Sequence, residues 1–179
     1  MKLDLKLKFQ GILGKPNQPQ ILPVKVIVNS LALSVTQAAV GDFIVDNNGI
    51  WSGQVLFDGI LPSSDYKVFI KGPKHLQKRI CETFPQEPFP GVYNCENGAI
   101  SLNYGNNNFD FSAIFLLVGD LPPQDGVVNS YDISLVRNII LSTDPSLLTL
   151  ADLNLDGIVD SQDYSLVIAA LSVRTDEGL

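Results

Sequence analysis

Between Asp152 and Asp163 the chain carries oxygen-bearing residues at a spacing that suits a hard cation. Asp152, Asn154, Asp156, Asp160 and Asp163 put side-chain oxygens at positions 1, 3, 5, 9 and 12 of a loop, and Ile158 at position 7 offers its backbone carbonyl. Gly157 stands at position 6, where the backbone must turn sharply, and the β-branched Val159 follows at position 8. Calcium takes about six to eight oxygens, and this spacing curls them around one centre, with Asp160 acting through water. Asp163 replaces the usual glutamate at position 12; its shorter side chain requires the following helix to sit closer. A lone loop of this kind also reads, more plainly, as an Asp-rich turn that caps a helix.

The loop does not stand alone. Asp125-Gly-Val-Val-Asn-Ser-Tyr-Asp-Ile-Ser-Leu-Val136 matches Asp156-Gly-Ile-Val-Asp-Ser-Gln-Asp-Tyr-Ser-Leu-Val167, an internal repeat with a period of 31 residues. In the earlier copy the register is broken. Counting back from Gly126, position 3 falls on Pro123 and position 1 on Leu121, and neither side chain can bind a metal. Asp120 sits one residue too early, so the copy carries an insertion. The expectation is a bulge at Pro122–Pro123 that lets Asp120 reach an ion beside Asp125, Asn129, Asp132 and the Val127 carbonyl, with Gln124 supplying the missing oxygen. An empty, structural first loop is the alternative. Two calcium ions are expected in all.

These loops need helices to follow them. Ile133, Val136 and Ile140 in Asp132–Leu141, and Tyr164, Val167 and Leu171 in Asp163–Leu171, recur at helical spacing. Ser142-Thr-Asp-Pro145 ends the first helix, and 146–152 makes a short helical connector. Residues 1–118 have a different grammar. Leu3, Leu5, Leu7 and Phe9 alternate with polar residues, Val24, Val26 and Val28 repeat the pattern, and further short strands are expected at 43–45, 53–57, 66–71, 99–103 and 109–118. Asn47-Asn48-Gly49, Asp58-Gly59, Asn97-Gly98 and Gly105-Asn106-Asn107-Asn108 mark the turns. The fold class read from this is a mainly β N-terminal sandwich, 1–118, followed by a small all-α calcium-binding unit, 119–179. Val118-Gly119-Asp120 leaves almost no linker, so a defined interface is expected.

Charge divides the chain at the same place. Ten of the nineteen acids lie from Asp120 onward, against two of the twelve bases, and nine of those ten acids are Asp, a poor helix former that here looks like a ligand set. Such a surface does not suit nucleic acid, whose phosphates need Lys and Arg. No apolar run approaches the roughly 20 residues of a membrane helix. The N-terminal alternation is not a secretory signal, so either a signal was removed or none existed. Cys81 and Cys95, fourteen positions apart in a Pro- and Gly-rich stretch, read as a disulfide, with two buried thiols as the alternative; a disulfide points outside the cytosol. The one histidine, His75, is expected to be an exposed loop or strand residue, and Trp51 to be packing rather than a sugar platform. No convergent nucleophile, phosphate loop or zinc motif appears, so no catalysis is expected.

Two resemblances follow. Phe43–Trp51, with its Asp-Asn-Asn-Gly turn, then Gly53–Phe57, then Leu61-Pro-Ser-Ser-Asp-Tyr-Lys-Val-Phe-Ile-Lys-Gly72, is similar to carboxypeptidase-regulatory-like and prealbumin-type sandwiches, which are mostly spacers or adhesion scaffolds; a generic immunoglobulin-like sandwich is the alternative. Residues 119–173, on the two quoted repeats, resemble a dockerin of type I. That resemblance implies a pair of near-symmetric helices, held folded by calcium, that dock onto a cohesin domain of an extracellular or cell-surface assembly. Loop positions 10 and 11 and the following helix carry recognition in dockerins; here they are Ser130, Tyr131 and Arg137, and Ser161 and Gln162. A structural role, with copies of the protein linked by exchange of the strand Leu3–Phe9, is the alternative function.

Overall fold

The structure is a computed structural model and describes residues 1–178. Eight strands come first: β1 (Lys2–Lys8), β2 (Ile21–Ser30), β3 (Val35–Val45), β4 (Ile50–Leu56), β5 (Ser63–Lys71), β6 (Lys78–Ile80), β7 (Ile100–Leu102) and β8 (Asn106–Asp110). Three short helices follow, α1 (Ser130–Asn138), α2 (Pro145–Ala151) and α3 (Ser161–Ala170). The strands form one sheet in the order β6-β5-β2-β3-β4-β1-β8, with β7 on the other half of β5. The layers of the expected sandwich are thus a single ladder that curls on itself, and residues from all eight strands share one core around Trp51, Tyr66, Phe9 and Phe43. Curling follows from the right-handed twist that accumulates from strand to strand.

The alternation in β1 works as read: Leu3, Leu5 and Leu7 are buried in that core. The availability of β1 for strand exchange, however, does not hold. It pairs with β4 on one side, antiparallel, and with β8 on the other, parallel, so its backbone groups are taken. The strand expected over 109–118 starts earlier and stops at Asp110, where Ser112 N–H donates to the Asp110 carboxylate at 3.0 Å and turns the chain. Only Leu116 and Val118 rejoin the sheet, as single bridges to Phe9 and His75. β6 and the first half of β3 carry no period that the sequence reveals. Cys81 and Cys95 form a disulfide that closes the loop after β6.

The helices begin on designed ends. Asp144 caps α2, accepting from Ser146 N–H at 2.8 Å, with Pro145 in the first turn. α1 and α3 both start with a capping box, Asn129 with Asp132 and Asp160 with Asp163. Their apolar faces meet in a second cluster built from Leu121, Val128, Val136, Leu153, Val159, Val167 and Ala170. The two clusters exchange members. Leu155, from the second loop, is buried in the core of the sheet, while Leu76 and Val118 belong to the helical cluster. That interlock leaves no tether between sheet and helices.

His75 corrects an expectation. It is not exposed but buried, with its ring 4.4 Å from that of Phe9. The turn before it folds back so tightly that a Cβ at Gly72 would lie 2.6 Å from His75 Nδ1. Burial, then the charges of Lys74 and Lys71, push its pKa down to about 3. The unfolded chain takes up a proton near pH 6.5 that the folded protein refuses until about pH 3, so stability falls as pH drops through that window. Because His75 is the only histidine, the slope between pH 6.5 and 5 should approach about 1.4 kcal/mol per pH unit. Urea unfolding of His75→Phe across this range should show most of that slope gone; an unchanged slope would assign it to another group.

Candidate metal centre

In the second loop the chain leaves α2 at Asp152 and wraps back on the start of α3. Two residues take left-handed backbone, Leu155 (φ 61°) and Gly157 (φ 93°). A Cβ at Gly157 would meet nothing within 4 Å, so glycine is needed there for its φ and not for room. Leu155 tolerates the strain because its side chain is anchored in the sheet core. The carboxylates organise the turn: Asp152 accepts from the N–H groups of Asp156 (3.2 Å) and Gly157 (3.0 Å), and Asp156 from that of Ile158 (3.1 Å). Asp163 reaches across, accepting from Leu153 N–H at 2.6 Å and Asp160 N–H at 2.8 Å, and Asp160 caps α3 at Gln162 N–H (2.6 Å). Asn154 joins the ring by donating to Asp156 Oδ2 at 2.9 Å.

Among the described residues no three His, Cys, Asp or Glu side chains close on one point. The donor set of this loop is instead mixed, carboxylates with an amide and a carbonyl, which is what a calcium loop uses. Its charge balance is the test of fit. Asp152 and Asp163 are buried, and no Lys or Arg among the described residues makes a salt bridge to either. Burial pushes both carboxyls above their usual range; the Asp163 charge adds to the effect at Asp152, and the Asp156 charge at Asp163. Lys74 comes close from the sheet, yet its ammonium donates to the carbonyls of Leu148 and Asp152 rather than to a carboxylate, and burial pushes its pKa down. Desolvated like charges with free lone pairs fit a divalent cation.

The first loop repeats the main carboxylate-to-backbone bonds of the second across its insertion, though Asp120 accepts from one backbone N–H where Asp152 accepts from two. Asp132 accepts from Leu121 N–H (2.9 Å) and Asn129 N–H (2.8 Å), as Asp163 does from Leu153 and Asp160. Asp125 accepts from Val127 N–H (3.0 Å), as Asp156 does from Ile158. Asp120 accepts from Gly126 N–H (3.3 Å) and so stands where Asp152 stands. A turn closed by Gln124 N–H to Leu121 O (2.7 Å) absorbs the extra residue. The Gln124 amide donates to Gly72 O and Asp120 O, both at 3.2 Å. The two repeats also clasp each other: Leu141 and Ser142 pair with Val159, Arg174 and Asp176 pair with Val128 and Gly126, and both Leu141 and Arg174 are left-handed.

That repeated loop-helix geometry agrees with the comparison of families. Residues 123–172 match the dockerin type I domain. No curated protein and no solved structure matches the chain. Dockerin domains bind calcium and, in general, cohesins; the family is non-catalytic. On the matched segment Ser130, Tyr131 and Arg137 are exposed along α1, and Ser161 and Gln162 are exposed at the start of α3. The α3 side lies against the turn after β1, where a Cβ on Gly11 would come within 2.6 Å of Leu166.

Sequence reasoning passed over Lys71, Lys74, Asp176 and Glu177. Lys71 Nζ bonds Asp120 Oδ2 and Asp176 Oδ2, each at 2.6 Å; Lys78 Nζ bonds Glu177 Oε1 at 2.8 Å. The available signal was the basic stretch 71–79, facing a chain end that is otherwise acidic. Removing the α3 cap by Asp160→Ala should cost about 1 kcal/mol in excess chelator, read by urea unfolding; no loss would mean that the cap does not hold the helix start.

Proposed function

We propose that residues 119–179 form a calcium-dependent attachment unit for a cohesin-type domain, carried by the strand-built residues 1–118 as a non-catalytic spacer. One observation carries this reading: the dockerin type I match coincides with two loop-helix repeats that share four carboxylate-to-backbone hydrogen bonds at corresponding positions. In the second loop the side chains of Asp152, Asn154, Asp156 and Asp163 and the carbonyl of Ile158 would hold the ion, with Asp160 acting through water. Calcium supplies positive charge to a desolvated ring of carboxylates and so stiffens the turn from which α3 departs.

Partner recognition falls to Ser130, Tyr131 and Arg137 on one repeat and Ser161 and Gln162 on the other. Tyr131 is 54% exposed, and an aromatic ring free of the core is the kind of anchor that dominates protein interfaces. An extracellular or cell-surface setting agrees with the disulfide, since such bonds persist in oxidising compartments. No helix among the described residues is long and apolar enough to cross a membrane. The non-catalytic reading of the strand-built part is supported by its only histidine, which is sealed in the core, and by Trp51, which is fully buried and so offers no sugar platform.

The test is capture of the chain by a panel of immobilised cohesin domains, with calcium and with excess chelator. Calcium-dependent capture by at least one is expected, Asp156→Ala should weaken calcium binding by roughly tenfold or more, and capture should fall with it. Tyr131→Ala should weaken capture by about tenfold while leaving calcium binding intact. Equal capture in calcium and chelator would overturn the reading.

A further inference from the structure

The two loops share one hydrogen-bonding plan and differ in what stands among their carboxylates. In the second, no ammonium or guanidinium among the described residues bonds a side-chain oxygen. In the first, the Lys71 ammonium sits on Asp120 and Asp176 at once. Asp120 is fully buried and Lys71 nearly so, with side-chain exposures of 0% and 14%. Lys71 belongs to β5, and Asp176 to the tail that clasps the first loop. We infer that Lys71 is the resident cation of the first loop, so that this loop takes no calcium and the protein binds one ion, in the second loop. The inference rests on the calcium reading of the second loop given above.

Three features of the first loop support this. Its counted positions 1 and 3 are Leu121 and Pro123, which have no donor, and Leu121 is buried in the helical core. Asp120, standing in for position 1, already spends Oδ2 on Lys71 and Oδ1 on Gly126 N–H. The Gln124 amide is turned to the Gly72 and Asp120 carbonyls, where it fastens the loop to the sheet. An incoming dication would have to displace an ammonium that is bonded to two carboxylates and largely shielded from solvent, and such displacement is costly because the buried ammonium would be left uncompensated. The Lys71 site is also held from behind: Asp176 Oδ1 accepts from Gln77 N–H at 2.7 Å, and Glu177 bonds Lys78 Nζ and Arg79 N–H, each at 2.8 Å. The protein's own sheet therefore does in one repeat what a metal ion does in the other, and it joins the first repeat to β5 and β6 whether or not calcium is bound.

Native mass spectrometry of the full chain, stripped with chelator and then titrated with calcium alone, counts the ions. One ion is expected, lost in Asp156→Ala and retained in Asp125→Ala. Two ions in the parent chain would overturn the Lys71 inference and leave the attachment reading standing, whereas none would overturn both. A single ion lost in Asp125→Ala and kept in Asp156→Ala would place it in the first loop and sink the inference. Lys71→Met supplies the second arm. Its melting temperature should fall by roughly 5–10 °C, and by the same amount in chelator and in saturating calcium, because calcium does not replace the ammonium. A loss seen in chelator that disappears in calcium would show the ion taking Lys71's place.

Discussion

Burying carboxylates side by side is the constraint around which the last third of this chain is organised. Asp120, Asp132, Asp152 and Asp163 are all buried, and each must be compensated by hydrogen bonds or by positive charge. Asp132 and Asp163 are compensated in part by their position three residues into a helix, where they accept backbone N–H groups and face the positive end of the helix dipole. Asp120 has an ammonium. Asp152 has two backbone N–H groups and, among the described residues, no salt bridge: the Lys74 charge favours its ionised form, but the ammonium itself is bonded to carbonyls, which leaves room for an external cation.

The same constraint joins sheet to helices. Three lysines from one stretch, Lys71, Lys74 and Lys78, point away from the sheet and end respectively on carboxylates, on backbone carbonyls and on Glu177 together with the Tyr93 carbonyl. Each amine is largely buried, so these contacts are not the weakly held ion pairs of a wet surface. Burial would push the Lys71 pKa down, but its bonds to Asp120 and Asp176 outweigh that and hold it above the usual value. One ammonium shared by two carboxylates leaves the trio negative, and burial together with the Asp176 charge pushes Asp120 up. Leu155 and Leu76 complete the joint with apolar contact in both directions. A partner docking on α1 and α3 would therefore meet a rigid platform, with the Gly11–Leu13 turn standing beside one of the two faces.

Wherever a residue's role depends on its near neighbours in the chain, the sequence states it. The alternation of Leu3, Leu5 and Leu7 names a strand face, the period of 31 names the two loop-helix units, and Gly126 and Gly157 (φ 81° and 93°) name the turns that only glycine accepts easily. Even the insertion before Asp125 was legible, because counting back from Gly126 exposes it. What escaped were features whose meaning lies far along the chain. β6 is only three residues long, too short to show a period, and it exists because β5 offers it an edge. His75 looks polar in sequence and is buried, because the turn at Gly72 folds it onto Phe9.

The sequence by itself thus determined the local units: strands of period two, helices with their caps, and loops of calcium type with their register. Tertiary structure alone decided that an ammonium stands among the carboxylates of the first loop and that none among the described residues bonds those of the second. Lys71 and Asp120 are 49 residues apart, and Lys71 and Asp176 are 105 apart. No spacing rule connects them, because a charge pair carries no periodicity and is set only when β5 and the C-terminal tail are brought together by packing. The physical reason is range. Backbone geometry and side-chain period are fixed over a few residues, whereas desolvation, which makes one buried carboxylate need a particular cation, is a property of the finished interior.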